Sequence, residues 1–263
     1  MTLRDVLAHP LARGLDINDP RTTALRRRII DEKRFLRKIY RDWYELIAAA
    51  VPPGSDPALE LGSGAGFLKD YLTELITSDL FPCKDADAVM DATRLPFANR
   101  SLRAIVMTDV LHHIPDVRSL FSEATRCVRP GGVIAMVEPW VTWWSRFVYT
   151  RLHDEPFDDK TADWTIASDG PLSGANSALP WILFVRDREK FRDTFPEWEV
   201  TTVEPLMPFR YFLSGGVSLR SLMPGWSYDL CKLLEQALPL TEQMAMFAFI
   251  VLTRRPVLRQ ELG

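Results

Sequence analysis

Residues 58–66 read Ala-Leu-Glu-Leu-Gly-Ser-Gly-Ala-Gly, so one acid, Glu60, stands directly before glycines at alternate positions, Gly62, Gly64 and Gly66. Glycines let a chain turn with positive φ and let a ligand approach the main chain with no Cβ in the way. At the carboxyl end of a first parallel strand this makes a nucleotide-type crevice. Dinucleotide sites favour G-x-G-x-x-G, which brings a pyrophosphate to a helix N-terminus. Here the third glycine comes one position early, and a carboxylate at position 60 would repel a pyrophosphate. It suits the amino group of an amino-acid moiety instead, which disfavours a nicotinamide-dependent dehydrogenase. A second chemical cluster is His112-His113, two of only four histidines. Imidazole titrates near working pH and suits proton transfer. Asp109, His112 and His113 also have the i, i+3, i+4 spacing that can hold a metal on a helical turn; the expectation is nonetheless that no metal is bound.

These residues need a scaffold. The run 57–61 reads as a strand, and the spacing of Phe67-Leu68-Lys69-Asp70-Tyr71-Leu72 predicts a helix over about 66–75. Further strands are expected to end near Ser78-Asp79, at Ala88–Met90, over Leu102–Thr108 and over Gly131–Glu138, with a helix at 116–128. Strands alternating with helices imply a parallel sheet covered on both faces. Upstream, Asp19-Pro20 suits a helix start, and Ile29, Leu36, Ile39, Trp43 and Ile47 recur at helical spacing until Pro52-Pro53-Gly54. The other face carries Arg26, Arg27, Arg28, Lys33, Arg34, Arg37 and Lys38 and reads as solvated, or as a contact for an acidic substrate or membrane surface.

Beyond Glu138 the pattern loosens. Residues 139–180 hold Trp140, Trp143, Trp144 and Trp164, and a Gly/Ser/Pro/Asn-rich piece from Asp169. A loop of that length is uncommon unless it is functional. A helix at Asp187–Phe195, a strand at Glu197–Val203, an irregular insert at 205–225, a helix at about 226–238 and a last strand at about 243–253 complete the chain.

The 263 residues are 47% hydrophobic and 25% charged, which fits one large α/β domain with additions. A net charge of −3 argues against a nucleic-acid-coating protein. Cys83, Cys127 and Cys231 are widely spaced and odd in number, as expected of free thiols in a reducing cytoplasm. The N-terminus lacks a secretory signal. The longest apolar run, Met244–Leu252, is far short of the roughly 20 residues a membrane helix needs.

Taken together, four segments resemble class I S-adenosylmethionine-dependent methyltransferases of the small-molecule branch. They are Glu60-Leu-Gly-Ser-Gly-Ala-Gly66, Asp79 at the end of strand two, Asp91-Ala-Thr-Arg-Leu-Pro-Phe97, and Thr108-Asp-Val-Leu-His-His-Ile-Pro-Asp116 followed by Val128-Arg-Pro-Gly-Gly-Val-Ile134. The resemblance covers residues 55–138 well and 187–253 only by element order. It implies a Rossmann-like seven-stranded sheet, order 3-2-1-4-5-7-6, with the last strand antiparallel and helices on both faces. Residues 1–54 would form an N-terminal helical cap and 55–263 the methyltransferase domain, with substrate-side inserts at about 139–186 and 205–225.

The resemblance also implies roles. Glu60 would hold the methionine amino group, or simply cap the turn. Gly62, Gly64 and Gly66 would shape the cofactor turn, and Asp79 would hold the ribose hydroxyls. Asp91 and the Ala92 backbone would contact adenine, and Thr108 would line the methionine end. His113 is the favoured general base, with His112 and Glu138 as alternatives; a structural role for each stays open. His153-Asp154-Glu155 is a lid contact or has no role. The expected activity is methyl transfer from S-adenosylmethionine to a small-molecule, sugar or lipid-like acceptor, at oxygen. No nucleic-acid partner is expected, and peripheral membrane contact is conceivable. The alternative is a non-catalytic cofactor-binding module that docks a partner protein through its Trp-rich insert.

Overall fold

The computed structural model describes residues 8–12, 21–152, 155–166, 174–237, 239 and 241–256. Seven strands form one sheet: β1 (Ala58–Leu61), β2 (Leu75–Asp79), β3 (Ala88–Val89), β4 (Leu102–Thr108), β5 (Val128–Pro139), β6 (Trp198–Leu206) and β7 (Phe247–Arg254). Their order is β3-β2-β1-β4-β5-β7-β6, as expected. The first five strands pair in parallel, and β7 runs antiparallel to both β5 and β6. β4 carries the apolar run Ala104–Met107 because both of its faces are covered. Ile105 and Met107 join one core with Leu59 and Phe121, whereas Ala104 and Val106 join the other with Ala58 and Val137.

Nine α-helical segments among the described residues clothe this sheet. They are α1 (Arg21–Glu32), α2 (Arg34–Ala50), α3 (Val117–Cys127), α4 (Trp143–Leu152), α5 (Leu179–Trp181), α6 (Arg188–Thr194), α7 (Arg210–Ser214), α8 (Tyr228–Ala237) and α9 (Thr241–Met244). None is long and apolar enough to cross a membrane.

The N-terminal pattern gives two helices rather than one. The predicted apolar positions Ile29, Leu36, Ile39, Trp43 and Ile47 are all buried, but the chain breaks at Lys33, whose φ and ψ are −91° and 82°. Lys33 is correspondingly not part of a solvated face. It is buried, and its Nζ donates to the Gly216 and Leu219 carbonyls; burial pulls its pKa down to about 7. The expected helix start at Asp19-Pro20 lies outside the described residues.

The helix expected at 66–75 is absent. Only a 3-10 turn, Leu68–Asp70, stands there. Phe67, Leu68 and Leu72 pack instead into the core that contains Trp43 and Tyr44 of α2. Glu74 takes a positive φ of 52°, and Leu75 already belongs to β2. Thus α2 covers a sheet face through side chains that sequence spacing alone assigns to a second helix.

Other boundaries also shift. β5 starts at Val128, not Gly131, because an irregularity in its pairing with β4 carries the Arg129–Gly132 turn within the strand. The stretch after Glu138 is more regular than expected: α4 occupies Trp143–Leu152, and a π-helical turn, Ile182–Arg186, leads towards α6. β6 reaches Leu206 and α7 lies inside the expected 205–225 insert. The last strand begins at Phe247, since 241–244 is helical.

Candidate active site

The carboxyl ends of β1, β2, β4 and β5 converge on one crevice. Glu60, on β1, is only 2% exposed. Its neighbour in sequence, Leu59, points into the opposite core, which commits Glu60 to the α2 side. No side-chain hydrogen bond reaches its carboxyl group among the described residues. Burial pushes its pKa up to about 8; the nearby Asp79 adds to the rise and Lys69 opposes it. An unpaired buried carboxyl is costly unless a ligand completes it.

The three glycines have different tasks. Gly62 has φ 62°, and a Cβ there would lie 2.6 Å from Val110 Cγ2. At Gly66 a Cβ would lie 2.6 Å from Tyr44 Oη and 2.8 Å from the Ser63 carbonyl. These two permit close packing of protein on protein. Gly64, φ 46°, would place a Cβ no closer than 3.6 Å to anything, and that nearest atom is Asp79 Oδ2. Its open side faces the crevice. α1 reaches over the same turn, where Arg27 Nη1 donates to the Gly66 carbonyl at 2.6 Å.

Asp79 braces this turn. Its Oδ2 accepts from Gly64 N at 2.9 Å and its Oδ1 from Phe81 N at 3.1 Å. Each oxygen keeps one lone pair for a hydroxyl donor. Asp91 is exposed, and its Oδ1 accepts from Thr93 N and Oγ1 at 2.8 and 2.7 Å. Ala92 is partly buried beside it and packs on the main core. Thr108 stands at the end of β4, and its Oγ1 is buried without a hydrogen-bond partner. Ser63 Oγ, which sequence reasoning passed over, is buried without one too.

The histidine pair sits on a 3-10 turn, Leu111–His113, just beyond β4. His112 is fully buried. Its Nδ1 meets Glu138 Oε2 at 2.8 Å, and the other Glu138 oxygen accepts from Val110 N and Leu111 N at 2.9 and 2.8 Å. Both oxygens of Glu138 are therefore engaged inside the protein, and this acid fixes the turn from behind. His112 Nε2 lies 3.3 Å from Glu155 Oε2 and 3.9 Å from Asp109 Oδ1. Burial alone would lower the His112 pKa, but the bonds to Glu138 and Glu155 hold it well above the usual range. His113 is slightly exposed, with Nε2 at 3.6 Å from Glu155 Oε1 and Nδ1 at 3.4 Å from the Gly174 carbonyl. Burial and then the neighbouring His112 charge pull its pKa down to about 4.

Glu155 comes from the insert after β5, and only the fold reveals that it meets the histidines; the adjacent His153 and Asp154 lie outside the described residues. Asp109 takes a left-handed φ of 62°. Its pKa is pushed up to about 7 by burial in the crevice, with Glu155 and Glu138 adding to the rise against His112. A non-glycine residue held there stores strain of the kind that collects at functional sites.

The two inserts also form an open apolar pocket, lined by Val148, Tyr149, Leu152, Tyr211, Phe212 and Met246 among others. Burial holds the Tyr211 hydroxyl well above its usual pKa, and the charges of Asp109 and Glu155 add to this. Tyr211 thus links the pocket electrostatically to the acid–histidine cluster. Of the insert tryptophans, Trp140 and Trp164 are buried and Trp143 is exposed.

Comparison with known proteins agrees with this geometry. Residues 59–136 match the family model described as a methyltransferase domain. A demethylmenaquinone methyltransferase of Roseiflexus sp. is 31% identical over 117 residues, which is 37% of this chain and 49% of that protein. An uncharacterized methyltransferase of Mycobacterium tuberculosis is 32% identical over 110 residues, 35% of this chain and 55% of that one. The chain thus spans about half the length of the curated relatives it matches. Among solved structures, a geranyl diphosphate C-methyltransferase from Streptomyces coelicolor, in complex with Mg2+, geranyl diphosphate and S-adenosyl-L-homocysteine, superposes with a TM-score of 0.53. It is 13% identical, and the match covers 94% of this chain and 89% of that one. Residues 59–136 are thus similar to a methyltransferase domain, and the chain has the Rossmann-like fold of that solved structure.

Proposed function

We propose that the protein is an S-adenosylmethionine-dependent methyltransferase acting on a small, lipid-like acceptor. The observation that carries this reading is a set of polar groups at the carboxyl ends of β1 and β4 that have no hydrogen-bond partner among the described residues: the buried Glu60 carboxyl, Ser63 Oγ and Thr108 Oγ1. They fit a ligand with an amino-acid end, and Asp79 offers acceptors for its hydroxyls. Asp91 and Ala92 would hold the base, and residues 1–54 would serve as a cap through Arg27 and Tyr44. When bound, the cofactor supplies an electrophilic methyl group.

The chain's own contribution is placement. Most of the rate would come from fixing the acceptor in line with the methyl group, with the apolar cavity between α4 and α7 taking its hydrophobic body and excluding water. The relatives named for demethylmenaquinone and geranyl diphosphate support an acceptor of this kind. For the methylated atom we favour oxygen, because the Asp109–His113–Glu155 cluster suits a hydroxyl that must lose a proton. His113 is the imidazole on the crevice side and the candidate proton acceptor. His112 and Glu138 act by positioning. A cytoplasmic site of action fits the three free cysteines.

The test is product formation. Incubation with S-adenosylmethionine and a panel of isoprenoid and aromatic alcohols should yield S-adenosylhomocysteine and an O-methyl product. Exposed Trp226, Leu230, Leu233 and Leu234 favour a second reading, a cofactor-binding module that docks a partner; it predicts cofactor binding with no turnover of any acceptor.

A further inference from the structure

We propose that His112, His113 and Glu155 form a site for one divalent transition-metal cation, bound through two imidazole nitrogens and a carboxylate oxygen.

Glu138 is an acceptor, and its Oε2 lies 2.8 Å from His112 Nδ1. Nδ1 therefore carries the hydrogen, and the lone pair of a neutral ring sits on Nε2. That atom is buried and lies 3.3 Å from Glu155 Oε2, which also accepts from Ser177 Oγ at 3.4 Å. In the metal-free protein a second imidazole proton on Nε2 supplies the positive charge between ring and carboxylate, and a divalent cation can displace that proton and take its place. A carboxylate behind the distal nitrogen of an imidazole is also the arrangement that orients metal-binding histidines.

The spacing fits a metal. With bonds of about 2.0–2.2 Å and tetrahedral angles, neighbouring donors stand about 3.4 Å apart. His112 Nε2 lies 3.3 Å from Glu155 Oε2 and His113 Nε2 lies 3.6 Å from Glu155 Oε1, so the carboxylate faces both rings, and one donor atom from each of the three residues lies within 4.8 Å of the others. Side-chain adjustments of up to about 1 Å would close the shell. Two imidazoles and one carboxylate suit Zn2+, Co2+, Ni2+ or Fe2+ rather than Mg2+ or Ca2+. Asp109, whose Oδ1 is 3.9 Å from His112 Nε2, is the next donor in line on the crevice side.

The metal would also clip the insert that carries Glu155 to the end of β4. Ligation and proton acceptance exclude each other at His113 Nε2. In the loaded protein the proton-accepting role passes to a water on the metal's open position, whose pKa the cation lowers. The site stands on its own geometry and needs no cofactor assignment.

The test uses the full chain, tag removed and treated with chelator, titrated with Zn2+ against a chromophoric competitor and with Co2+ by visible absorption. One equivalent should bind, with a tetrahedral Co2+ spectrum. Glu155→Gln and His113→Gln should each weaken Zn2+ binding by at least ~100-fold, and Glu138→Gln by ~10–100-fold, as is typical of a residue behind a ligand. His9→Gln, remote from the cluster, should bind as the parent does. Each variant is checked by circular dichroism; if Glu155→Gln does not fold, X-ray absorption on the parent must show two-imidazole ligation. Absence of a stoichiometric site in the parent overturns the proposal, as does undiminished binding in both folded ligand variants. S-adenosylmethionine titration of the same samples separates the two readings. Cofactor binding without metal binding refutes the metal site alone, and metal binding without cofactor binding refutes the cofactor site alone.

Discussion

With Glu60 receiving the cofactor's ammonium group as proposed, cofactor binding becomes a proton-release reaction. The Glu60 carboxyl group, ordinarily near 4.5, is raised to about 8 by burial, so at pH 7 roughly nine-tenths of the unliganded protein carries it protonated. An ammonium group placed beside it requires the ionised form. Binding at pH 7 should then release about 0.9 proton from this residue, and affinity should rise by nearly tenfold per pH unit between about pH 5 and pH 8. Glu60→Gln supplies the comparison, since it resembles the neutral form at every pH. At pH 6 the parent must spend about 2.7 kcal/mol, two pK units, to ionise. That is comparable with the ~1.5–3 kcal/mol a charged hydrogen bond contributes, so parent and variant should bind within a fewfold of each other. By pH 8.5 the parent should bind ~10–100-fold more tightly. Calorimetry in buffers of differing ionisation enthalpy reads the proton count directly, and the cofactor's own amine titration is common to both proteins. An affinity ratio that does not change with pH, or equal proton release from parent and Glu60→Gln, would refute the reasoning.

The same shift bears on stability. A carboxyl group whose folded pKa is raised favours the folded protein fully below its ordinary pKa, and that contribution is lost as pH rises through the folded value. The ligand-free protein should lose thermal stability between about pH 5 and pH 8, by on the order of 3–5 kcal/mol from this group, and Glu60→Gln should flatten the profile. Gly66→Ala should cost about 1–3 kcal/mol in denaturant unfolding, because its Cβ would strike Tyr44 Oη and the Ser63 carbonyl. Arg210→Ala should cost about 3–5 kcal/mol, since Arg210 is buried between Asp42 and Glu235 and its removal takes the counter-charge from buried Glu235, while Asp42 keeps Tyr228 and Lys232. Lys33→Ala should lower the melting temperature, while Arg28→Ala on the exposed side of α1 should change stability by less than about 0.5 kcal/mol.

The sheet was legible because its strands announce themselves. Ala104–Met107 of β4 and Phe247–Leu252 of β7 are continuous apolar runs, and the glycine turn marks the end of β1 unambiguously. The apolar stripe of α2 was legible for the same reason. Periodicity could not say which partner would claim a side chain. Phe67, Leu68 and Leu72 have helical spacing, yet Tyr44 and its neighbours on α2 captured them. The break at Lys33 depends on two carbonyls far along the chain, at Gly216 and Leu219, that no local pattern reveals.

The candidate site divides in the same way. Glu60, Gly64, Asp79 and Thr108 lie on one strand–turn framework and were readable from spacing. Glu155 reaches the histidines only through the path of the insert, and the engagement of both Glu138 oxygens depends on how the turn after β4 folds back. The Arg210–Glu235 pair joins two helices from segments that read as irregular or merely amphipathic. In each case the missing information is a long-range contact between residues whose local sequence is unremarkable.

The measurement that tests the central claim most directly is calorimetric titration of the full chain with S-adenosylmethionine and S-adenosylhomocysteine, with Asp79→Ala run alongside. The account predicts one site of micromolar affinity for each ligand in the parent, and loss of both in a variant that keeps its cooperative thermal transition. A folded parent that binds neither, or an Asp79→Ala variant that binds as the parent does, would contradict it.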